Sequence, residues 1–169
     1  MMSPEDVVQA LACLEEQRIP AWVDGGWGID ALVGEQTRQH RDLDLVVAQS
    51  ALAAAESALQ TLGYRLDATV KPGLPARMVL RDANRRRIDL HPVVIDECGN
   101  GWQPLGNGAW GGYPAEGLTG TGMIRGRRVE CLTPELQLRH HLGYPPDAND
   151  RHDLRLLAEH FGLCLPPDY

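Results

Sequence analysis

The 169-residue sequence contains no run of about eighteen apolar residues, and its start shows no charged segment leading into an apolar stretch. Neither a membrane span nor a secretion signal is therefore expected, and a soluble cytoplasmic protein is the default. Cysteine is sparse: Cys13, Cys98, Cys131 and Cys164 stand far apart without a CxxC pair, which argues against a zinc site and supplies no disulfide framework. Basic residues are dispersed apart from Arg85, Arg86 and Arg87, and the formal net charge is −7. No polyanion-binding surface is announced, so nucleic acid is a poor first guess for a partner, and the acidic balance suits a cationic one. Two phosphate-binding signatures are also missing. GxxxxGK[ST] is absent, and Gly25, Gly26 and Gly28 do not fit GxGxxG, so P-loop kinase and dehydrogenase readings lose their motif.

The residues that are present suffice for one substantial core. Apolar content is 43%, so a single domain spanning 1–169 is expected, with little chain left for a second. Ser3, Pro4 and Asp6 supply an N-cap, a first-turn proline and an acidic third position, and Val7, Leu11 and Leu14 recur at helical spacing, which predicts a helix over 4–17. Ala21, Trp22 and Val23 make a short strand running into Asp24, Gly25 and Gly26, where glycine allows a sharp turn; a second helix over 26–33 stops at Gly34. Leu43, Leu45, Val46 and Val47 read as a strand, interrupted at alternate positions by Asp42 and Asp44. Ser50 is placed to cap an alanine-rich helix that carries Leu52, Leu59 and Leu62 and ends at Gly63.

Met78, Val79 and Leu80, then Ile88, Leu90 and Val93, predict two strands around a tight turn at Asp82, Ala83 and Asn84. Residues 99–122 hold nine glycines with Trp102, Trp110 and Tyr113. That composition is too irregular for a core element and predicts a functional loop or lid. A small hairpin from Ile124 to Cys131 turns at Gly126, Thr133-Pro134 opens a helix carrying His140 and His141, and a last helix over 150–161 ends at Gly162. With no repeat of fixed period, this order predicts a mixed α/β (α+β) fold, a small mixed sheet flanked by helices.

Residues two apart on a strand project from one face, so Asp42 and Asp44 present carboxylates about 7 Å apart along the chain. Two anions so placed require a counter-ion, and a hard divalent cation such as magnesium takes oxygen ligands while keeping positions for water and phosphate. Phosphoryl and nucleotidyl transfer often use two such ions about 3.5–4 Å apart, one lowering the pKa of an attacking hydroxyl and one supporting the leaving oxygen. A third carboxylate is then wanted on a neighbouring strand. Asp89 interrupts an apolar strand there and shares a face with His91, placed to bind the second ion or to accept a proton. Taken alone, these residues serve equally well as the wet start of an edge strand with Asp89 paired to Arg87 or another arginine, and His91 more readily as an ordinary packed histidine. Gly25-Gly26, between strand and helix, brings backbone N–H groups toward an anionic phosphate, although a glycine pair by itself is more often plain chain reversal.

The stretch Trp22-Val23-Asp24-Gly25-Gly26-Trp27-Gly28-Ile29-Asp30-Ala31-Leu32, then Gln36-Thr37-Arg38-Gln39-His40-Arg41-Asp42-Leu43-Asp44-Leu45, resembles the antibiotic nucleotidyltransferases, most of all the lincosamide and aminoglycoside 2''-nucleotidyltransferase group of the polymerase-β-type superfamily. Arg87-Ile88-Asp89-Leu90-His91-Pro92, Gly117-Leu118-Thr119-Gly120, His141-Leu142-Gly143-Tyr144 and Asp150-Arg151-His152-Asp153-Leu154 continue the likeness over most of the chain. The resemblance implies a polymerase-β-type nucleotidyltransferase fold with short C-terminal helices. It places a catalytic core at about 1–97, with loop, hairpin and C-terminal helices at about 98–169. It further implies a magnesium-dependent enzyme, two ions being expected, that moves AMP from ATP to a hydroxyl of a small molecule. The acceptor is expected to be a cationic antibiotic of lincosamide or aminoglycoside type, with resistance following from O-adenylylation.

Position by position, the resemblance assigns Gly25 and Gly26 to the triphosphate, Asp42 and Asp44 to magnesium, and Asp89 to the place of third carboxylate, metal ligand and general base. Arg38, His40 and Arg41 lie between the glycine turn and the acids and are candidate phosphate contacts. Many nucleotidyltransferases use lysines for the triphosphate, but the only lysine here is Lys71, outside the matched blocks, which leaves that work to arginine. Fifteen residues separate Gly26 from Asp42, a spacing normal for the antibiotic group. Little chain remains for a helical substrate domain, so the acceptor pocket is expected to need a second subunit, a homodimer as in the short lincosamide-type enzymes. Two other functions are weighed beside this one: a toxin-like nucleotidyltransferase that modifies protein or RNA, and a nucleotide-binding domain without catalysis.

Overall fold

A computed structural model describes residues 1–70, 76–105, 108–142 and 144–166; Lys71 and Gly143 lie outside them. Helices α1 (Pro4–Glu16), α2 (Gly25–Val33), α3 (Leu52–Thr61), α4 (Pro134–His140) and α5 (Ala148–Phe161) surround strands β1 (Ala21–Asp24), β2 (Asp42–Ala48), β3 (Arg65–Leu66), β4 (Met78–Arg81), β5 (Arg87–Ile95), β6 (Gly101–Pro104), β7 (Trp110–Tyr113), β8 (Gly120–Ile124) and β9 (Arg127–Cys131). The main sheet runs β3-β4-β5-β2-β1-β9-β8, and β6 with β7 extends it from the end of β5. The β2·β5 and β1·β9 pairs are parallel and the others antiparallel, so the expected mixed sheet is present, with more strands than a small sheet. Among the described residues no helix is long and apolar enough to cross a membrane.

Period-two alternation decides which face carries chemistry. Leu43, Leu45 and Val47 of β2, with Ile88 and Leu90 of β5, are fully buried with Val7, Leu14, Ala55 and Leu59 of α1 and α3. Asp42, Asp44 and Val46, with Asp89, His91 and Val93, fall on the other face. Each fully buried aliphatic contributes roughly 1.5–3 kcal/mol. A one-residue slip would turn the acids into the core and the aliphatics to water, so this burial pins the register of the acids.

The helix signals behave as their chemistry dictates. The Ser3 hydroxyl accepts from the Asp6 N–H while the Asp6 carboxylate accepts from the Ser3 N–H, closing a capping box. Gly34 and Gly162 end α2 and α5 in the left-handed region. Ser50 is a correction: it lies inside a 3₁₀ turn, Gln49–Ala51, and α3 starts at Leu52 without a side-chain cap. The lid expected over 99–122 is the second correction. Gly101 pairs with Tyr113 and Gln103 with Gly111, so this stretch holds the β6–β7 hairpin and the start of β8. Tyr113 packs with Val46, Val93, Leu118, Leu132 and Leu136 in a second core under the acid-bearing face.

Candidate active site

β2 lies between β1 and β5, with Asp44 opposite Asp24 on one side and opposite Asp89 on the other. Neighbouring strands are about 5 Å apart, and paired residues project to one face. Asp42 sits two residues before Asp44 on that face, in register with Arg87. The three acids singled out in the sequence therefore meet, and Asp24, which the sequence presents only as the lead-in to the glycine turn, joins them. Asp89 is 3% exposed. Both its oxygens accept from Arg87 Nη2 at 3.1 Å, and Arg77 Nη1 stands 3.6 Å from Oδ2. Arg87 Nη1 also lies 3.7 Å from Asp42 Oδ2. The arginine pairing weighed for Asp89 and the convergence of the acids are thus both present.

These contacts leave the site short of positive charge. Burial, then the charge of Asp44, raise the pKa of Asp42 in spite of Arg87. The same two causes raise that of Asp89 against Arg87 and Arg77. Burial alone would raise Asp24 too, but the hydrogen bond and charge of His140, the charge of His91 and the Gly25 N–H bring it below its ordinary value. His91 Nε2 lies 3.1 Å from Asp44 Oδ1; burial disfavours the charged ring, yet that bond and the neighbouring carboxylates raise its pKa. Among the described residues no three His, Cys, Asp or Glu side chains stand ready-made around one point, and Asp89 is engaged by its arginines. The Asp42 and Asp44 side chains are 34% and 30% exposed, an open face. A cleft of about 440 Å³ lined by Leu11, Leu14, Arg18, Ile19 and Arg127 lies at the far end of β1 and carries none of this chemistry.

Gly25 opens α2 with φ +61°, and a Cβ there would lie 2.7 Å from Asp44 Oδ2. Its N–H donates to Asp24 Oδ1 at 2.7 Å. The next first-turn donor, the Gly26 N–H, is therefore the better placed for a phosphate oxygen. A Cβ on Gly26 would overlap Arg38 Nη2 and the His40 ring. His40 is 3% exposed, paired with Asp30 and packed on Trp27. Its ring is thus buried against the Gly26 turn. Arg41 is exposed.

Arg38 reaches α5 instead of standing free. Its Nε and Nη2 donate to the two oxygens of Asp153 at 2.8 and 2.5 Å, and Asp153 is 1% exposed. This ties the Asp150–Leu154 block to the glycine turn, with His152 Nε2 3.0 Å from Thr37 Oγ1 beside it. Asp153→Ala is expected to lose about 2–3 kcal/mol of stability, because a buried charge-assisted fork is removed from a partly exposed arginine. Urea unfolding checks this; a loss under about 0.5 kcal/mol, the range of neutral surface changes, would show the fork to be incidental.

A family model for aminoglycoside-2''-adenylyltransferases matches residues 6–157. The chain belongs to this family. It is a nucleotidyltransferase, and its relatives in the aminoglycoside-2''-adenylyltransferase family and around it act on antibiotics by name. A lincosamide resistance protein of Staphylococcus haemolyticus is 27% identical over 156 residues, 92% of this chain and 94% of that protein. A 2''-aminoglycoside nucleotidyltransferase of Escherichia coli is 39% identical over 122 residues, 72% of this chain but 62% of the relative's length. Among solved structures, the lincomycin-bound lincosamide antibiotic adenylyltransferase LnuA superposes with TM-score 0.80 at 27% identity, covering 92% and 96% of the two chains. The complex of ANT(2'')-Ia with adenylyl-2''-tobramycin, at TM-score 0.72 and 22% identity over 94% and 89%, shares the fold. The nucleotidyltransferase fold expected from the sequence is thus the fold shared with these solved structures.

Proposed function

We propose that this chain transfers the adenylyl group of magnesium-bound ATP to a hydroxyl of an antibiotic, conferring resistance. The observation that carries the proposal is the placing of Asp42, Asp44 and Asp89 on one face at one end of the sheet, against a glycine turn. A lincosamide acceptor is placed first, because that relative matches along nearly its whole length, whereas the aminoglycoside relative matches along 62%.

The donor set fits magnesium. Asp42 and Asp44 offer hard oxygens whose mutual repulsion Arg87 offsets only in part, and Asp89 joins them as a ligand on exchanging its arginines. Bound there, the metal would lower the pKa of the attacking hydroxyl and neutralise charge on the phosphates. Gly26 offers its N–H to the triphosphate, and Arg38, steadied by Asp153, and Arg41 add positive charge beside it. Arg87 and Arg77 oppose the rise of the Asp89 pKa, and once they give way its carboxylate takes the acceptor's proton. The acceptor side is open in a single chain, which supports completion of the pocket by a second copy; sedimentation of the active enzyme as a monomer would contradict that part.

Incubation with ATP, magnesium and a panel of lincosamides and aminoglycosides tests the proposal. Pyrophosphate release dependent on one acceptor is the expected result, and the absence of release across the panel sinks the substrate assignment. Asp89→Asn is expected to lower kcat about 10²–10⁴-fold while changing the KM for ATP much less. Turnover like that of the unaltered enzyme would remove the base role.

A further inference from the structure

A chain of hydrogen bonds runs from the β6–β7 hairpin to the acids, and the transfer reaction as described leaves it without a task. Gln103 is 5% exposed. Its Nε2 donates to the Ala76 carbonyl at 2.7 Å, where a reversed amide would set oxygen against oxygen, and its Oε1 accepts from the Tyr113 hydroxyl at 3.1 Å. The amide is thereby fixed one way round. Its remaining N–H faces His91 Nδ1 at 3.5 Å, which makes Nδ1 the accepting nitrogen and leaves the proton on Nε2. Nε2 then donates to Asp44 Oδ1 at 3.1 Å, while Asp44 Oδ2 is turned to the glycine turn.

We infer that His91 is the positioning residue of Asp44: locked as one tautomer by Gln103, it holds one carboxylate oxygen so that the other is aimed at the metal and the triphosphate. An ordinary packed histidine needs no buried amide behind it. The role of Oδ2 rests on the transfer proposal, whereas the tautomer does not. Hydrogen-bond partners of metal ligands fix the ligand's orientation, and losing one typically costs about 10–100-fold in metal affinity or activity.

The variants His91→Asn and His91→Gln separate positioning from packing. Both keep an amide at a side chain that is 18% exposed, but only glutamine is long enough to offer an N–H near the place of Nε2. Binding of Mn²⁺ with α,β-methylene-ATP, followed by titration calorimetry, is expected to weaken about 10–100-fold in H91N and to stay within about threefold of the unaltered protein in H91Q. Melting temperatures of both variants should stay near that of the unaltered protein. Unchanged Mn²⁺ binding in H91N, or equal losses in the two variants, overturns the positioning role. Nitrogen NMR of the unaltered protein's imidazoles gives an arm independent of any metal. A proton on Nε2 is expected, and a ring protonated at Nδ1 alone overturns the inference. Absence of Mn²⁺ binding by the unaltered protein, with Nε2 nonetheless protonated, would strike the transfer proposal and leave the hydrogen-bond chain standing.

Discussion

Asp44→Asn is expected to reduce kcat/KM by at least about a thousandfold while leaving the protein as stable as before, or more so. Asparagine keeps the shape of the side chain and an oxygen for His91, so packing and the hydrogen bond at 3.1 Å survive. What disappears is the charge that holds the cation. The stability side follows from linkage. Asp42 and Asp89 both have folded pKa values raised by burial and by Asp44. A raised carboxylate contributes stability below its unfolded pKa, about 4, and that contribution is lost as pH rises through the folded value. At neutral pH the two carboxylates therefore oppose folding, and removing the Asp44 charge lessens the opposition. Thermal melts at neutral pH without metal should place the variant at or above the unaltered protein. Magnesium with ATP should raise the melting temperature of the unaltered protein and leave that of the variant in place. A marked fall in its melting temperature would show that the loss of activity came from the fold.

Gly26→Ala carries the second largest effect, a loss of at least about a hundredfold in activity together with about 1–3 kcal/mol of stability. The new methyl group would overlap Arg38 Nη2 and the His40 ring. Neither can retreat cheaply. Arg38 is forked onto Asp153, and His40 is buried against Asp30 and Trp27. The backbone must move instead, and it carries the N–H assigned to the triphosphate. Gly34→Ala is the control: Gly34 has φ +88° with nothing within 4 Å of a Cβ, so only the backbone cost of roughly 1–2 kcal/mol is expected, with turnover retained. Steady-state kinetics and unfolding on both variants distinguish the two mechanisms, since equal losses of activity would implicate stability alone.

The acids are legible in the sequence because a charged residue that interrupts aliphatic alternation has few reasons to be there. Leu43 and Leu45 fix the parity of Asp42 and Asp44, and Ile88 and Leu90 fix that of Asp89, so the shared face follows from two local patterns once the strands pair. Asp24 is harder to see. It ends a strand of four residues and caps a helix, and both are ordinary uses of aspartate; only the register opposite Asp44 gives it a place among the acids. The β6–β7 hairpin escapes a periodicity reading because the inward positions of β6 are Gly101 and Gln103 while Trp102 and Trp110 face outward. An inverted pattern of this kind reads as a loop. The amide it buries serves His91, which no count of apolar residues can reveal. Likewise Arg38 and Asp153 are 115 residues apart, and their fork depends on how α5 docks against α2.

Diffraction from a crystal soaked with Mn²⁺ and α,β-methylene-ATP, with the ion located by its anomalous signal, tests the central claim most directly. The account predicts an ion bound by Asp42 and Asp44, bridging to phosphate oxygens beside Gly26, with Asp89 facing the same point. An ion bound elsewhere, or a nucleotide seated away from the glycine turn while Arg87 stays locked on Asp89, would contradict it.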